Sequence, residues 1–360
     1  KQGRATLRFA TADPGKEHKT AQDYLVEASV TDESSQSRTA QVAIIAHRSP
    51  FYLGLHATEY VPEAGKPFTV EAVALDDEGR GRAAEAELLV SLREWKCDYS
   101  QGAGGYYGSY RCEDKTTELE RRKVQLSANG PSALPVTVKR AGTILLSLRA
   151  PSGAKGGGEV AASDQVWAVG RGEAFWRMNE GVKVPLQASK KRYRPGETAL
   201  LVAQAPLSGA TALVTVEREG VLSHRVQPFA SSGEPFAVPL TDKHAPNVYV
   251  SVVLCRGRTG DGDQGRPSFG MGLVDLEVDP GEKRLRVEVS SDRPSYRPGE
   301  TVKARVVVKT AAGAPVAAEV ALAVADEGVL QLIGYKTPDP QAAFYAPFGL
   351  GVTTATSWNR

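Results

Sequence analysis

Three cysteines, five histidines and 42 acidic residues are the side chains from which this 360-residue chain could build chemistry. Cys97 and Cys112 flank a stretch rich in Gly and Tyr, from Asp98 to Arg111. Two readings of the pair stay open: a disulfide closing that stretch in an oxidising compartment, or two independent half-buried thiols. Cys255 ends the alternating run that starts at Val248 and is expected to serve there as a small hydrophobe. The histidines His18, His47, His56, His224 and His244 form no His-Glu-x-x-His and no other metal-ligand spacing. The stretch from Gly260 to Gly265 carries Asp261 and Asp263 but lacks the further acids and terminal Glu of a calcium loop, so it reads as a solvated hairpin loop. No Gly-x-Ser-x-Gly elbow and no phosphate-cradling Gly-rich loop is present. Asp326-Glu327, at the end of the apolar run Val320 to Val324, reads as a strand-end turn rather than a catalytic pair. Tyr99, Tyr106, Tyr107 and Tyr110 crowd the segment around the cysteines, either as a contact surface or as a self-packed loop over a sheet edge. The residues therefore point to no catalytic, metal or cofactor site, and no enzyme is expected.

The elements that would carry these side chains follow from composition and pattern. Basic and acidic residues number 44 and 42, a net charge of +2, which selects neither nucleic acid nor an anionic membrane as partner. Hydrophobic content of 41% is enough for several modest cores. No run of 18 apolar residues occurs. Lys1 leads directly into Leu7-Arg8-Phe9, and Ser357-Trp358-Asn359-Arg360 has no feature of a natural end, so the chain is expected to be a piece of a longer one.

Period-two alternation in short runs dominates. Tyr24, Val26, Ala28 and Val30 share one face, as do Ala40, Val42, Ile44 and Ala46, with Asp32-Glu33-Ser34-Ser35 supplying turn chemistry between them: a hairpin. Ile144, Leu146 and Leu148 share a face further on, and so do Val302, Ala304, Val306 and Val308. No helical stripe with caps is evident. The pattern predicts an all-β chain of antiparallel sandwiches of the fibronectin-III or Ig-like kind. Tyr193-Arg194-Pro195-Gly196-Glu197-Thr198 recurs as Tyr296-Arg297-Pro298-Gly299-Glu300-Thr301, 103 residues on, about the size of one sandwich, with a looser copy from Tyr60 to Pro67. Pro second and Gly third suit a type II turn, in which Gly accepts a positive φ. The expected division is 1–48 as the C-terminal part of a first domain, 49–170 as a second with the Cys97–Cys112 loop inserted between strands, 171–280 as a third, and 281–360 as an incomplete fourth that loses alternation from Gly334.

The run from Asp292 to Val302, followed by Val320 to Leu330, then Gly334-Tyr335-Lys336-Thr337-Pro338-Asp339-Pro340 and Phe344-Tyr345, resembles the bacterial α2-macroglobulins, in the macroglobulin domain that leads into the bait region. Lys191 to Ala199 and Ala245 to Val252 resemble the preceding domain. The resemblance implies tandem macroglobulin-type sandwiches in a broad-spectrum inhibitor of endopeptidases. A protease cuts an exposed bait, and the scaffold rearranges around it without cofactor or nucleotide. It also implies a periplasmic or extracellular setting, with any membrane anchor in a part not included here. The family's thioester pattern, Cys-x-x-Gln, is absent at all three cysteines. The bait approach is expected at Thr353, Thr354, Ala355, Thr356, Ser357, Trp358, Asn359 and Arg360, a tail of small and polar residues after Gly349 and Gly351. Two rivals share the sandwiches: an Ig-like repeat array for adhesion or display, and a β-domain attached to a polysaccharide hydrolase. The latter would want clustered aromatics, whereas Trp95, Trp167, Trp176 and Trp358 are scattered.

Overall fold

The computed structural model describes residues 6–8, 21–47, 49–101, 108–153, 158–177, 182–260, 267–297, 299–325, 327–336 and 338–355. The chain is nearly all β, and among the described residues its strands pair antiparallel except for the short parallel pairing of Arg192–Tyr193 with Glu277–Val278. It opens with the predicted hairpin, β1 (Gln22–Thr31) against β2 (Ser37–Ala46), in a register that sets Tyr24 opposite Ile44 and Val26 opposite Val42. The Asp32 side chain shapes the turn by accepting from the backbone N–H groups of Ser34 (2.8 Å) and Gln36 (2.9 Å).

A first sandwich follows. Strands β3 (Phe51–Ala57), β4 (Pro67–Asp76) and β7 (Ser132–Thr137) make one sheet. Strands β5 (Ala84–Gln101), β6 (Gly108–Leu126), β8 (Gly142–Pro151) and β9 (Glu159–Ala168) make the other, in the order β6-β5-β8-β9. Ile144, Leu146 and Leu148, read from the sequence as one face, lie fully buried between the sheets with Leu88, Leu92 and Val70.

The second sandwich sets β10 (Leu186–Ala188), β12 (Thr198–Ala203) and β15 (Phe236–Pro239) over a five-stranded sheet. That sheet holds β11 (Arg192–Tyr193), β13 (Ala210–Glu217), β14 (Val221–Phe229), β16 (Asn247–Arg256) and β17 (Ser268–Val278), in the order β11-β17-β16-β13-β14. Val248, Val250, Val252 and Leu254 of β16 point inward and are fully buried. Cys255 falls on the other parity, opposite Thr211 and Phe269, and is exposed. The expectation that it serves as a small hydrophobe is thus corrected, because alternation assigns the core to its neighbour Leu254.

The repeated Tyr-Arg-Pro-Gly-Glu segment forms the same corner twice. Gly196 and Gly299 have φ of 89° and 88°, and Glu197 N–H and Glu300 N–H each close the turn on the carbonyl of the Arg three residues back. The glutamate, whose part the sequence did not reveal, folds its carboxylate back: Arg194 N–H donates to Glu197 Oε2 (3.0 Å) and Arg297 N–H to Glu300 Oε2 (2.8 Å). The tyrosine hydroxyl likewise accepts from the residue three before it, Lys190 N–H (2.9 Å) or Arg293 N–H (3.0 Å). In the looser copy the turn falls on Glu63 to Lys66, with Gly65 at φ 87°. Pro62 there holds the place of Tyr193: its carbonyl accepts Val169 N–H as that of Tyr193 accepts Asp279 N–H.

The link between the sandwiches is tied down. Gly170 N–H donates to Gly233 O (2.9 Å) and Gly233 N–H to Gly172 O (3.1 Å). The Ser232 hydroxyl accepts from Ala174 N–H (2.9 Å) and donates to Glu173 Oε2 (2.7 Å), and the Trp176 indole N–H donates to Ser232 O (2.7 Å). A Cβ on Gly233 would stand 2.6 Å from Gly172 O, so this close approach requires glycine. Trp176, 2% exposed, packs with Val61, Ala141 and Val169 of one sandwich and Val202 of the other.

Beyond β17 the chain forms a hairpin, β18 (Arg286–Ser291) with β19 (Ala304–Lys309), and two short helices, α1 (Glu327–Leu332) and α2 (Pro340–Phe344). Val302 precedes β19 rather than lying in it, and Glu327 opens α1 rather than ending a strand. Val320 to Val324 carries no regular structure, and Val324 is 93% exposed. An apolar run becomes a strand only where a neighbour accepts its ladder and covers its face, and the described residues place none there.

Two outcomes are expected. Trp176→Ala should cost about 3–5 kcal/mol and, in calorimetry, split one shared unfolding transition of the sandwiches into two. The Glu197 carboxyl lies below its ordinary pKa, held there by the Arg194 backbone N–H and then by Lys190 Nζ. Its contribution to stability is present above the unfolded carboxylate pKa and lost as pH falls through the lowered folded one. Glu197→Gln should therefore lower the melting temperature at neutral pH and converge on the unsubstituted chain in acid.

Candidate functional site

The chain just before the bait approach expected from the sequence is held at a fixed point on the second sandwich. Asp339 caps α2 by accepting Gln341 N–H (3.0 Å), and its other oxygen takes Arg284 (3.2 Å). Gln341 Nε2 donates to Pro280 O (3.3 Å), tying the helix to the segment after β17. Phe348 then lies against the outward face of β16. Its N–H donates to Asn247 Oδ1 (2.9 Å), and its carbonyl accepts from Asn247 Nδ2 (3.1 Å) and the Tyr249 hydroxyl (3.1 Å). The Arg218 guanidinium stands 5.0 Å from the centre of the Phe348 ring. It is held over the ring by hydrogen bonds to Ala245 O (2.9 Å) and Lys243 O (3.3 Å). Gly351 N–H ends the contact on Arg218 O (2.7 Å).

Past Gly351, Thr353, Thr354 and Ala355 are exposed and without regular structure. Thr356, Ser357, Trp358, Asn359 and Arg360 lie outside the described residues. The strap from Phe348 to Gly351 and its receptor, Asn247, Tyr249 and Arg218, carried no mark in the sequence. Asn247 and Tyr249 sit on the outward parity of a strand, where polar residues are ordinary.

Cys97 and Cys112 face each other directly across β5 and β6, with Cα atoms 4.0 Å apart, and are joined as a disulfide. Pairing runs on beyond them to Gln101 opposite Gly108, so the residues next to each cysteine are strand. Because β5 pairs with β8 from Glu87 to Arg93, β5 beyond Arg93 and its partner in β6 form a two-stranded ribbon beyond the sheet. At its root the guanidinium groups of Arg93 (4.6 Å) and Arg177 (5.2 Å) stand over the Trp95 ring, and Trp95 donates its backbone N–H to Phe175 O (3.0 Å). Tyr106 and Tyr107 lie outside the described residues, as does the stretch from Asp261 to Gly265; nothing is described of the Tyr99 and Tyr110 side chains.

Among the described residues no three His, Cys, Asp or Glu side chains group as metal ligands, and no helix is long and apolar enough to cross a membrane. His244 ends a short 3-10 turn, where burial and then the nearby Arg218 charge lower its pKa. It accepts Thr241 N–H at Nδ1 (3.1 Å), a structural role.

The class this defines is a chain of antiparallel β-sandwiches with an exposed tail strapped to one of them. The family model of the alpha-2-macroglobulin bait region domain matches residues 184–332, from the start of the second sandwich to the end of α1. The chain is 25% identical over 336 residues to an alpha-2-macroglobulin homolog of Nostoc sp., covering 90% of this chain and 17% of that protein. It is 24% identical over 301 residues to alpha-2-macroglobulin of Escherichia coli K12, covering 79% and 17%. The native conformation of the E. coli protein, solved by cryo-electron microscopy, aligns with a TM-score of 0.34 at 19% identity, over 95% of this chain and 22% of that one. The likeness to the bacterial α2-macroglobulin family read from the sequence is thus shown, and the chain spans about a sixth of the length of these two relatives.

The ribbon supports a simple test. Cys97→Ser should speed amide exchange at Lys96 and Glu113, which have no other sheet to hold them, and leave the buried strand β8 unchanged. Peptide mapping without reductant should recover the Cys97–Cys112 pair, with Cys255 alkylated.

Proposed function

We propose that this chain is part of an endopeptidase trap, in which cutting of an exposed bait releases a rearrangement of stiff β-domains. The observation that carries the reading is the exposed segment from Thr353 to Ala355, which follows a fixed strap downstream of the segment matching the bait region domain. A protease needs several residues in extended, accessible form, and such a segment offers them where a sandwich does not. On this reading the chain is not an enzyme and its partners are endopeptidases. Its setting is periplasmic or extracellular, consistent with the disulfide. The divisions 1–48, 49–170, 171–280 and 281–360 are taken as successive macroglobulin domains. The energy for rearrangement is stored in packing, so no cofactor is required. Covalent capture is not assigned to these residues, which hold no Cys-x-x-Gln.

The reading predicts that several endopeptidases of unrelated specificity, each mixed with the full-length protein, first cut beyond Gly351. A change in sedimentation coefficient should accompany the cut. First cuts scattered through the sandwiches, or cutting with no change in shape, would remove its support. An Ig-like display array would give the latter.

A further inference from the structure

We propose that Asn247 is a positioning residue that clamps the strap and so sets the upstream limit of the accessible segment that follows Gly351. Asn247 lies on the outward parity of β16 yet is 0% exposed, and it is hydrogen-bonded to both backbone groups of Phe348. A buried amide has two donor and two acceptor positions to satisfy. Here Oδ1 takes the Phe348 N–H, while Nδ2 donates to the Phe348 carbonyl and to Asp275 Oδ1 (3.0 Å). The amide orientation is fixed by chemistry: Phe348 N–H can only donate, so the oxygen must face it.

The side chain thereby imitates the pair of bonds that one strand residue exchanges with its neighbour. It binds backbone, on both sides of one residue, and is indifferent to the side chain carried there. Tyr249 adds a second donor to the same carbonyl, Arg218 holds the ring, and the Arg218 carbonyl takes Gly351 N–H three residues on. Proteases bind substrate through the same backbone N–H and C=O groups. A bond after Phe348 whose flanking groups are engaged is withheld until the strap lifts, although an aromatic residue there would suit a chymotrypsin-like enzyme. The role assigned to this limit rests on the trap reading; the clamp itself does not.

The test is amide exchange and proteolysis on the intact chain, with Asn247→Ala, Tyr249→Phe and Arg218→Ala. In the unsubstituted chain the Phe348 and Gly351 amides should exchange at least about tenfold more slowly than that of Thr354. Asn247→Ala should accelerate Phe348 about tenfold or more with β13 unchanged, and should open a chymotrypsin cut after Phe348. Tyr249→Phe, which leaves the buried amide in place, should do the same to a smaller degree. Arg218→Ala, which removes the guanidinium over the ring, should likewise accelerate exchange in the strap. Fast exchange at Phe348 in the unsubstituted chain, or no acceleration in any of the variants, would overturn the clamp. Protection through Gly351 in a full-length protein that no endopeptidase cuts downstream would uphold the clamp and defeat the trap reading. Cuts beyond Gly351 together with equal cutting after Phe348 would do the reverse.

Discussion

A β-strand makes two demands at once: partners for its backbone N–H and C=O groups, and cover for its apolar face. Where both are met, between Phe51 and Ala168 and again between Leu186 and Val278, the chain is a filled sandwich with fully buried Leu88, Ile144, Leu201 and Val250. Where only the ladder is met, in β1–β2 and β18–β19, the hairpin stands with Val30, Ile45, Val287 and Val289 exposed. Where neither is met, as at Val320 to Val324, the apolar run stays irregular.

The same rule governs the joints. The link from Gly170 to Trp176 supplies its own partners through Gly233, Ser232 and Glu173, and Trp176 packs against buried residues of both sandwiches. Hydrogen bonds set the direction of that link, and buried apolar contact makes opening it costly. The two sandwiches accordingly meet as one packed body rather than as beads on a string, and in a rearranging scaffold the motion would fall at other joints. The strap is weaker in kind. It has a few hydrogen bonds and one ring contact, and no apolar core beneath it, so it can be held at rest and lifted under load.

The ribbon of β5 and β6 shows a third arrangement. Beyond Arg93 it has no sheet neighbour, and a two-stranded ribbon alone is marginal in water. The Cys97–Cys112 link and the stacked Trp95 root supply what a third strand would otherwise provide.

Alternation was enough, from residue order alone, to place the first hairpin, the inward face of Ile144, Leu146 and Leu148, and the all-β class, because side-chain parity is a local property of an extended chain. The twice-repeated Pro-Gly corner was legible for the same reason: its φ requirement lies within four residues. Cys255 was read as a small hydrophobe although it is exposed, and the segment between the cysteines read as a loop although 98–101 and 108–111 are paired strand, since Gly and Tyr are as compatible with one as with the other. The folding back of Glu197 and Glu300, the Trp176 joint and the Asn247 receptor for Phe348 were decided only in the tertiary structure. Asn247 and Phe348 are 101 residues apart, and no local pattern encodes which polar side chain on an outward strand face will be covered.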